Sequence, residues 1–176
     1  MGSTVDHLVV GSADLDAGIA WVEDRIGVTP VFGGVHDGFG TRNALLGLGD
    51  QYLEVLALDP EQGEVSSLVS EQVRPLTVPA VITVAVARDR LENPVPMSRV
   101  RADGVRLEWE LEFTSTPLFF INWRDTPRPF GLPDGGRISS LTITTPEPSL
   151  LSDVEGISVR KGEWHVEAAV DGALLA

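Results

Sequence analysis

One recurring pattern constrains the fold of this chain more than any other feature of its sequence. A short apolar strand that contains His7 precedes a helical stretch ending at Gly27-Val28. A second strand that contains Thr83 precedes a segment of nearly equal length ending at Gly104-Val105. One such unit buries too little surface to fold alone, so the recurrence predicts units packed side by side around a shared core.

The first unit is predicted to be β-α-β-β-β over about residues 5–58. Its helix is indicated by apolar residues at helical spacing and by Gly27, a frequent helix stop; the apolar positions are Leu15, Ile19, Val22 and Ile26. Glycines divide the remainder into three short strands, predicted at 29–36, 41–48 and 51–58.

The later segments repeat this pattern less regularly. Residues 59–79 are predicted to be a connector with a short helix near 65–73. The second unit, about residues 80–125, is predicted as a strand at 80–88, a weak helix at 89–104 and strands at 105–113 and 116–125. A shorter third βαββ unit, about 137–171, is predicted to end in a hairpin with Lys161-Gly162 at its turn.

These segments together predict one α+β domain over residues 1–176. Two paired βαβββ modules would curve mixed sheets around a concave cleft, and the third unit would add a partial βαββ module. In each strand, alternate side chains would face the helix or the cleft.

That alternation turns two titratable residues into the cleft. Leu8 and Val10 suit the helix-packed face of the first strand, which leaves His7 on the other face. By the same argument, Glu54 faces the cleft from the strand at 51–58. A buried carboxylate needs a partner, and a facing histidine allows a divalent metal site, an acid–base pair or a simple ion pair.

The second unit offers weaker chemistry at the corresponding positions. Alternation there turns Thr83, Phe120 and Asn122 into the cleft, and neither Thr83 nor Asn122 is a strong ligand for a transition metal. Phe120, Asn122 and the nearby Trp123 are therefore predicted as contacts for a bound small molecule.

Three further candidates lie near the glycine-rich stretch GGVHDGFG. His36 is either an exposed turn residue or a group above the cleft that serves as third metal ligand or general base. Arg42 and Asn43 open the next strand, and one of them must face inward. An inward Arg42 would bind a carboxylate or phosphate through its planar guanidinium.

Composition excludes several functions. The chain has 26 acidic and 13 basic residues, a net charge of −13, which argues against nucleic-acid binding and against docking on anionic membranes. The charge either promotes solubility, the favoured interpretation, or marks a cleft that attracts cations. There are no cysteines, so disulfides and zinc–thiolate sites are excluded. The N-terminal sequence has no signal-peptide pattern, and a cytoplasmic location is expected.

The paired βαβββ units, the DHLVV…DLD stretch and the glutamate late in the first unit resemble the vicinal oxygen chelate superfamily. That superfamily includes glyoxalase I, extradiol dioxygenases and bleomycin-resistance proteins. More narrowly, GTRNALL…YLE and PLFFINW are similar to the glyoxalase-like domain proteins. The resemblance covers about residues 5–170. It implies that His7 and Glu54 are metal ligands and that Glu54 doubles as a catalytic base.

Two functions follow as expectations. One is a lyase, isomerase or dioxygenase that uses Zn, Ni, Mn or Fe held by His7 and Glu54, with His36 assisting. The alternative is a metal-free protein of the bleomycin-resistance type that sequesters a small organic molecule. The resemblance also leaves open a homodimer, because superfamily members often pair modules between chains.

Overall fold

The structure is a computed structural model that describes residues 3–175. Twelve strands and two α-helices follow one another in the order β1 (Thr4–Ser12), α1 (Leu15–Ile26), β2 (Val31–His36), β3 (Thr41–Leu48), β4 (Gln51–Leu58), α2 (Ser70–Val73), β5 (Ala80–Ala87), β6 (Val95–Val100), β7 (Arg106–Phe113), β8 (Phe119–Asn122), β9 (Ile138–Thr145), β10 (Ser158–Lys161), β11 (His165–Val170) and β12 (Ala173–Leu175). Short 3₁₀ turns at Pro60–Gln62 and Pro148–Leu151 complete the order. None of the helices in residues 3–175 has the length and apolar character needed to cross a bilayer.

The first eight strands close into a mixed barrel in the order β1-β4-β3-β2-β6-β7-β8-β5. β1 pairs in parallel with β4 and antiparallel with β5. β8 pairs in parallel with β5, and a single bridge between Val35 and Val100 joins β2 to β6. An eight-stranded barrel has an interior just wide enough for side chains or one small ligand. The predicted concave cleft is therefore the inside of a closed barrel.

Helix α1 covers the outside of the first half of the barrel. Its start is capped by the Asp14 carboxylate, which accepts a hydrogen bond from the Ala17 N–H at 2.8 Å. Its end is set by Gly27, whose φ of 82° is a conformation that glycine adopts without steric cost. Leu15 and Val22 are buried against the barrel, as their spacing predicts.

The remaining strands form a second sheet in the order β10-β9-β11-β12. Its inner face packs on the outside of the barrel and shares one core with α1 and with β5, through Ile143, Val166, Val84 and Val86. This sheet covers the part of the barrel where a second module would carry its own helix. The predicted hairpin at Lys161-Gly162 is wrong, because β9 lies between β10 and β11 and pairs with both.

The predicted helix at 89–104 is also wrong, because β6 lies there. Pro94 and Pro96 fit an extended chain and interrupt helical hydrogen bonds. Met97 and Arg99 alternate with exposed or half-buried neighbours and face the barrel interior. Within residues 80–122, the second half of the barrel therefore contains four strands and no α-helix of its own.

The predicted strand faces are correct in β4 and from His7 onward in β1, but Val5, predicted to face the cleft, packs in the outer core, and the faces of β8 are reversed. Leu8, Val10, Leu53 and Val55 belong to the outer core, and His7 and Glu54 line the interior. In β8, Phe119 and Ile121 line the interior while Phe120 packs in the outer core. Both faces of β8 are apolar because both are buried, so the alternation carries no signal there.

Both ends of the barrel are covered. At one end, β3 begins beside the 59–79 connector, and Val69 and Gln72 of that connector line the interior. At the other end, the Gly47 N–H near the close of β3 donates to the Pro133 carbonyl at 2.9 Å. Leu132 of the same loop packs on the interior residues.

Candidate functional site

The barrel encloses a small cavity with one polar region and a largely apolar wall. Its free volume is about 40 Å³, enough for a few water molecules. The wall consists of aromatic and aliphatic side chains from both halves, among them Tyr52, Leu56, Met97, Trp109, Leu111, Phe113, Phe119, Ile121 and Trp123. The polar region consists of His7, His36, Asn43, Glu54 and Arg99.

His7 and Glu54 face each other across neighbouring strands. His7 Nε2 lies 3.4 Å from Glu54 Oε2, and the two residues are only 3% and 8% exposed. His7 Nδ1 lies 2.8 Å from Oδ1 of the fully buried Asp6. The imidazole ring also stacks on Tyr52 at a centroid distance of 4.4 Å. The ring is thus held between two carboxylates and an aromatic face.

Asp6 is itself held by two further groups. Trp123 Nε1 donates to Asp6 Oδ2 at 3.1 Å, and Arg128 Nη2 lies 2.6 Å from the same oxygen. Asp6 therefore links β1 to the loop that covers one barrel end.

Asn43 connects Glu54 to His36. Its Nδ2 donates to Glu54 Oε1 at 2.6 Å and also lies 3.3 Å from His36 Nε2. Because Nε2 accepts this hydrogen, His36 carries its own ring hydrogen on Nδ1 and donates it to Thr41 Oγ1 at 2.9 Å. The amide thus directs one hydrogen at the carboxylate and the other at the second imidazole.

The paired arrangement shifts the acidities of His7 and Glu54 in opposite directions. Burial lowers the pKa of His7, but the hydrogen bonds and negative charges of Asp6 and Glu54 together outweigh burial and raise that pKa from 6.5 to about 9. Burial raises the pKa of Glu54, but the hydrogen bond and charge of His7, with smaller effects from His36 and Asn43, lower that pKa from 4.5 to about 2. The two residues form a charged pair at neutral pH.

His36 behaves differently although it is equally buried. Burial lowers its pKa from 6.5 to about 4, and the nearby Arg99 and His7 charges act in the same direction against the attraction of Glu54. His36 is therefore neutral at pH 7, with its Nε2 lone pair directed at Asn43.

The structure brings together five of the residues predicted from sequence: His7, His36, Asn43, Glu54 and Trp123 all line the cavity. It does not bring in the other three. Arg42 shares the outer face of β3 with Ala44, since Asn43 is the inward member of the pair. Phe120 packs in the outer core, and the Asn122 amide donates to the Asp89 carbonyl outside the barrel at 2.9 Å.

Sequence reasoning missed Asp6, Arg99 and Arg128. Arg99 was hidden by the predicted helix, although the two prolines in that segment are a signal for an extended chain. Asp6 precedes His7 in β1, so strict alternation would turn its side chain away from the cleft. In the pairing of β1 with β5, the register shifts between Val5 and His7 and again between Val9 and Val10, and these shifts disturb strict alternation.

Comparison with known proteins identifies the family. A profile of the glyoxalase-like domain matches residues 5–154. The chain belongs to the glyoxalase-like domain family. No curated protein matches this sequence significantly.

Two solved structures with TM-scores above 0.5 show the same fold as this glyoxalase-like protein, and a third is similar to it at a lower score. A hypothetical protein from Staphylococcus aureus has 13% identity and a TM-score of 0.67, with 98% of this chain and 97% of that chain covered. A mutant of 4-hydroxymandelate synthase from Streptomyces coelicolor has 14% identity and a TM-score of 0.51, covering 85% of this chain and 50% of that one. Methylmalonyl-CoA epimerase from Mycobacterium tuberculosis has 19% identity and a TM-score of 0.44, with 71% and 88% covered.

The side chains around Glu54 do not fit the metal that the superfamily resemblance implies. Two imidazoles and a carboxylate are suitable donors, but Asn43 directs its hydrogens at the Glu54 and His36 lone pairs that a cation needs. From the second half, Ala85 pairs opposite His7 and Ile121 faces the cavity, and neither can ligate. Within residues 3–175, no three His, Asp or Glu side chains are placed to share an ion.

Proposed function

We propose that this glyoxalase-like protein binds a small organic molecule inside the barrel without a metal ion. The observation that carries the proposal is the cavity itself, which has an aromatic wall and a polar region in which Glu54 is paired with His7 and accepts a hydrogen bond from Asn43. Ligand sites are typically apolar with a few fixed polar groups. The ligand would place its apolar part against Trp109 and Trp123 and its polar part against that region.

Binding also requires the barrel to open. A free space of about 40 Å³ admits water but is too small for an organic ligand. The connector end is the more suitable entrance, because α2 is only four residues long and the connector lines the cavity through Val69 and Gln72. Movement of this short segment leaves the barrel strands in place.

A fragment screen by ligand-observed NMR on EDTA-treated protein tests the proposal. Fragments are expected to bind the wild type and to lose binding in Leu56→Trp, because the larger side chain fills the cavity. Leu68→Trp is the matched control, since Leu68 is exposed on the connector. Circular dichroism checks that both variants fold. An absence of hits for the wild type, or equal binding by Leu56→Trp, contradicts the proposal.

The metal-dependent alternative is tested separately by thermal unfolding with Mn²⁺, Ni²⁺, Zn²⁺ and Fe²⁺. The proposal predicts that none stabilises the wild type more than His7→Ala or Glu54→Ala. A metal-specific stabilisation of the wild type alone would instead support His7 and Glu54 as ligands.

A second candidate function is proton transfer by Glu54, and one observation favours it. Asp6, His7 and Glu54 form a chain in which each group orients the next. With a pKa near 2, Glu54 is a weak base while it is paired with His7, so a ligand would have to separate the pair. Exchange of ligand C–H hydrogens with D₂O, abolished in Glu54→Gln, would identify this activity.

A further inference from the structure

Arg99 enters the cavity wall from β6 and is only 4% exposed. Its side chain crosses the neighbouring strand β2 at two successive glycines. A Cβ on Gly34 would lie 2.6 Å from Arg99 Cγ, and a Cβ on Gly33 would lie 3.1 Å from Arg99 Nη1. The absence of side chains at both positions provides the space that this arginine occupies.

The Arg99 guanidinium has no hydrogen bond and no close ion pair in the part of the chain that the structure describes, although the charge of Glu54 acts on it from farther away. No carboxylate of residues 3–175 lies within 4.0 Å of it, and none of their groups forms a hydrogen bond with it. Its Nε is buried without any hydrogen bond. By contrast, Arg128 is paired with Asp6, and Glu54 already accepts from Asn43.

A second unsatisfied atom lies beside Arg99. Asn43 Oδ1 is buried without a hydrogen bond, because the amide nitrogen is turned towards Glu54. The same Cβ position on Gly33 that approaches Arg99 Nη1 would lie 2.4 Å from Asn43 Oδ1. The two unsatisfied groups therefore border one point of the barrel interior.

Arg99 also borders a second space on its other side. That groove, of about 220 Å³, is formed with Phe32, Leu107 and the loop at 127–132. Arg101 and Arg128 also line it, whereas no acidic residue of the described chain does. Arg101 is paired with Asp103 and Arg128 with Asp6, so Arg99 is the arginine of this wall that has no ion pair within the described residues.

A buried charge without a partner is costly, and proteins retain such groups where a ligand supplies the counter-charge. We propose that Arg99 binds the anionic oxygens of the ligand, a carboxylate or a phosphate group, through its planar guanidinium. The inference rests on the proposed function, since it names the chemical class of the molecule held in the barrel. Guanidinium binds both groups through paired hydrogen bonds, and either anion removes the cost of the unpaired cation.

The test measures thermal unfolding and tryptophan fluorescence with three small probes: glycolate carries a carboxylate, methyl phosphate carries a phosphate, and glycolamide is the neutral counterpart of glycolate. At least one of the two anions is expected to stabilise the wild type, while glycolamide does not. Stabilisation by glycolate or by methyl phosphate alone identifies the anion.

Arg99→Met should abolish that effect, with anion affinity reduced at least about tenfold. Without ligand, Arg99→Met is expected to raise the unfolding temperature by roughly 2–8 °C, because it removes an unpaired buried charge. Arg99→Lys keeps the positive charge but lacks the paired donors of the planar guanidinium, so it should weaken anion binding. Arg42→Met, a matched change on the outer face of β3, should leave binding as in the wild type.

Unchanged anion affinity in Arg99→Met, or an absence of any anion effect on the wild type, overturns the inference. A loss of stability in unliganded Arg99→Met also contradicts it, because it indicates a structural role. Neutral fragments that bind in the screen while anions do not would leave the proposed function intact and reject only Arg99 as the anion site. If neither binds, the proposed function fails as well.

Discussion

Glu54 keeps its charge inside the barrel because two neighbours compensate for burial. His7 supplies an opposite charge and Asn43 a hydrogen bond of 2.6 Å. The facing of His7 and Glu54 could be predicted from sequence, since the apolar partners in β1 and β4 alternate cleanly. The contribution of Asp6 and Arg128 could not, because it depends on a loop more than a hundred residues away along the chain.

The cluster should give the protein a stability maximum near pH 6.5. His7 has a raised folded-state pKa of about 9, so its contribution is complete below 6.5 and is lost as pH rises to 9. His36 has a lowered folded-state pKa of about 4, so its contribution is complete above 6.5 and is lost as pH falls to 4. Glu54, lowered to about 2, adds a further loss between 4.5 and 2.

Urea unfolding across this pH range, with three single variants, measures these contributions. His7→Gln should be less stable overall and should lack the decline between pH 6.5 and 9. His36→Gln should lack the decline between 6.5 and 4. The exposed His165→Gln is the control and should follow the wild type. A wild-type curve without a decline above pH 6.5 would show that His7 is not charged in the folded protein.

The side-chain amide of Asn43 should prevent His7, His36 and Glu54 from binding a metal ion. Asn43→Asp replaces the amide donor with a second carboxylate 2.6 Å from Glu54, so the variant should be less stable than the wild type by about 1–3 kcal/mol. Zn²⁺ should then restore stability, because two imidazoles and two carboxylates with free lone pairs are suitable donors. Thermal unfolding with and without Zn²⁺ measures the effect. Asn122→Asp, outside the barrel, is the control, and an equal Zn²⁺ response in both variants would contradict the explanation.

Among the elements, β6 is the one that sequence reasoning described wrongly and the one that matters most for the cavity. The weak helix predicted for 89–104 follows the order of elements in the first unit, whereas the two prolines and the alternation of Met97 and Arg99 favour a strand. By contrast, β3 and β4 were predicted with the bounds that the structure has, 41–48 and 51–58, because glycines mark their ends. Local turn residues were informative, and the analogy between units was not.

The contact between β2 and β6 should depend on Gly34. Its φ of 153° is a conformation that residues with a side chain rarely adopt, and a Cβ would lie 2.3 Å from the Val100 carbonyl oxygen. Gly34→Ala should therefore lower the free energy of unfolding by about 3 kcal/mol or more, because a backbone atom must move. Gly38→Ala, also at positive φ but with open space around it, should cost only about 1–2 kcal/mol. Equal losses in urea unfolding would show that close packing at Gly34 is unimportant.

For the whole molecule, the repeat in the sequence indicated the barrel but not how its outside is covered. The third unit, predicted as a partial module, supplies a sheet that packs on β5 and shares a core with α1. Trp164 Nε1 also donates to the Ile82 carbonyl at 2.8 Å, which ties this sheet to the barrel. Sheet-to-sheet packing of this kind depends on distant contacts and leaves no local pattern.

The shared core predicts that barrel and outer sheet unfold together. Ile143→Ala, at a fully buried position in β9, should lower the free energy of unfolding by about 2–5 kcal/mol. Tryptophan fluorescence and far-ultraviolet circular dichroism should give one coincident urea transition. Leu174→Ala, exposed in the same sheet, should change stability by less than about 0.5 kcal/mol. Two separate transitions for Ile143→Ala would show that the outer sheet is energetically independent.

The central claim is that His7, Glu54 and His36 are joined to one another through hydrogen bonds and charge, with Asn43 Nδ2 between them, rather than through a metal ion. Side-chain ¹⁵N NMR tests it most directly, since the chain has only three histidines. At pH 7 the account predicts both ring nitrogens of His7 protonated and only Nδ1 of His36 protonated, with neither spectrum changed by Zn²⁺. An unprotonated Nε2 on His7, or movement of the His7 and His36 Nε2 signals on adding Zn²⁺, would contradict it.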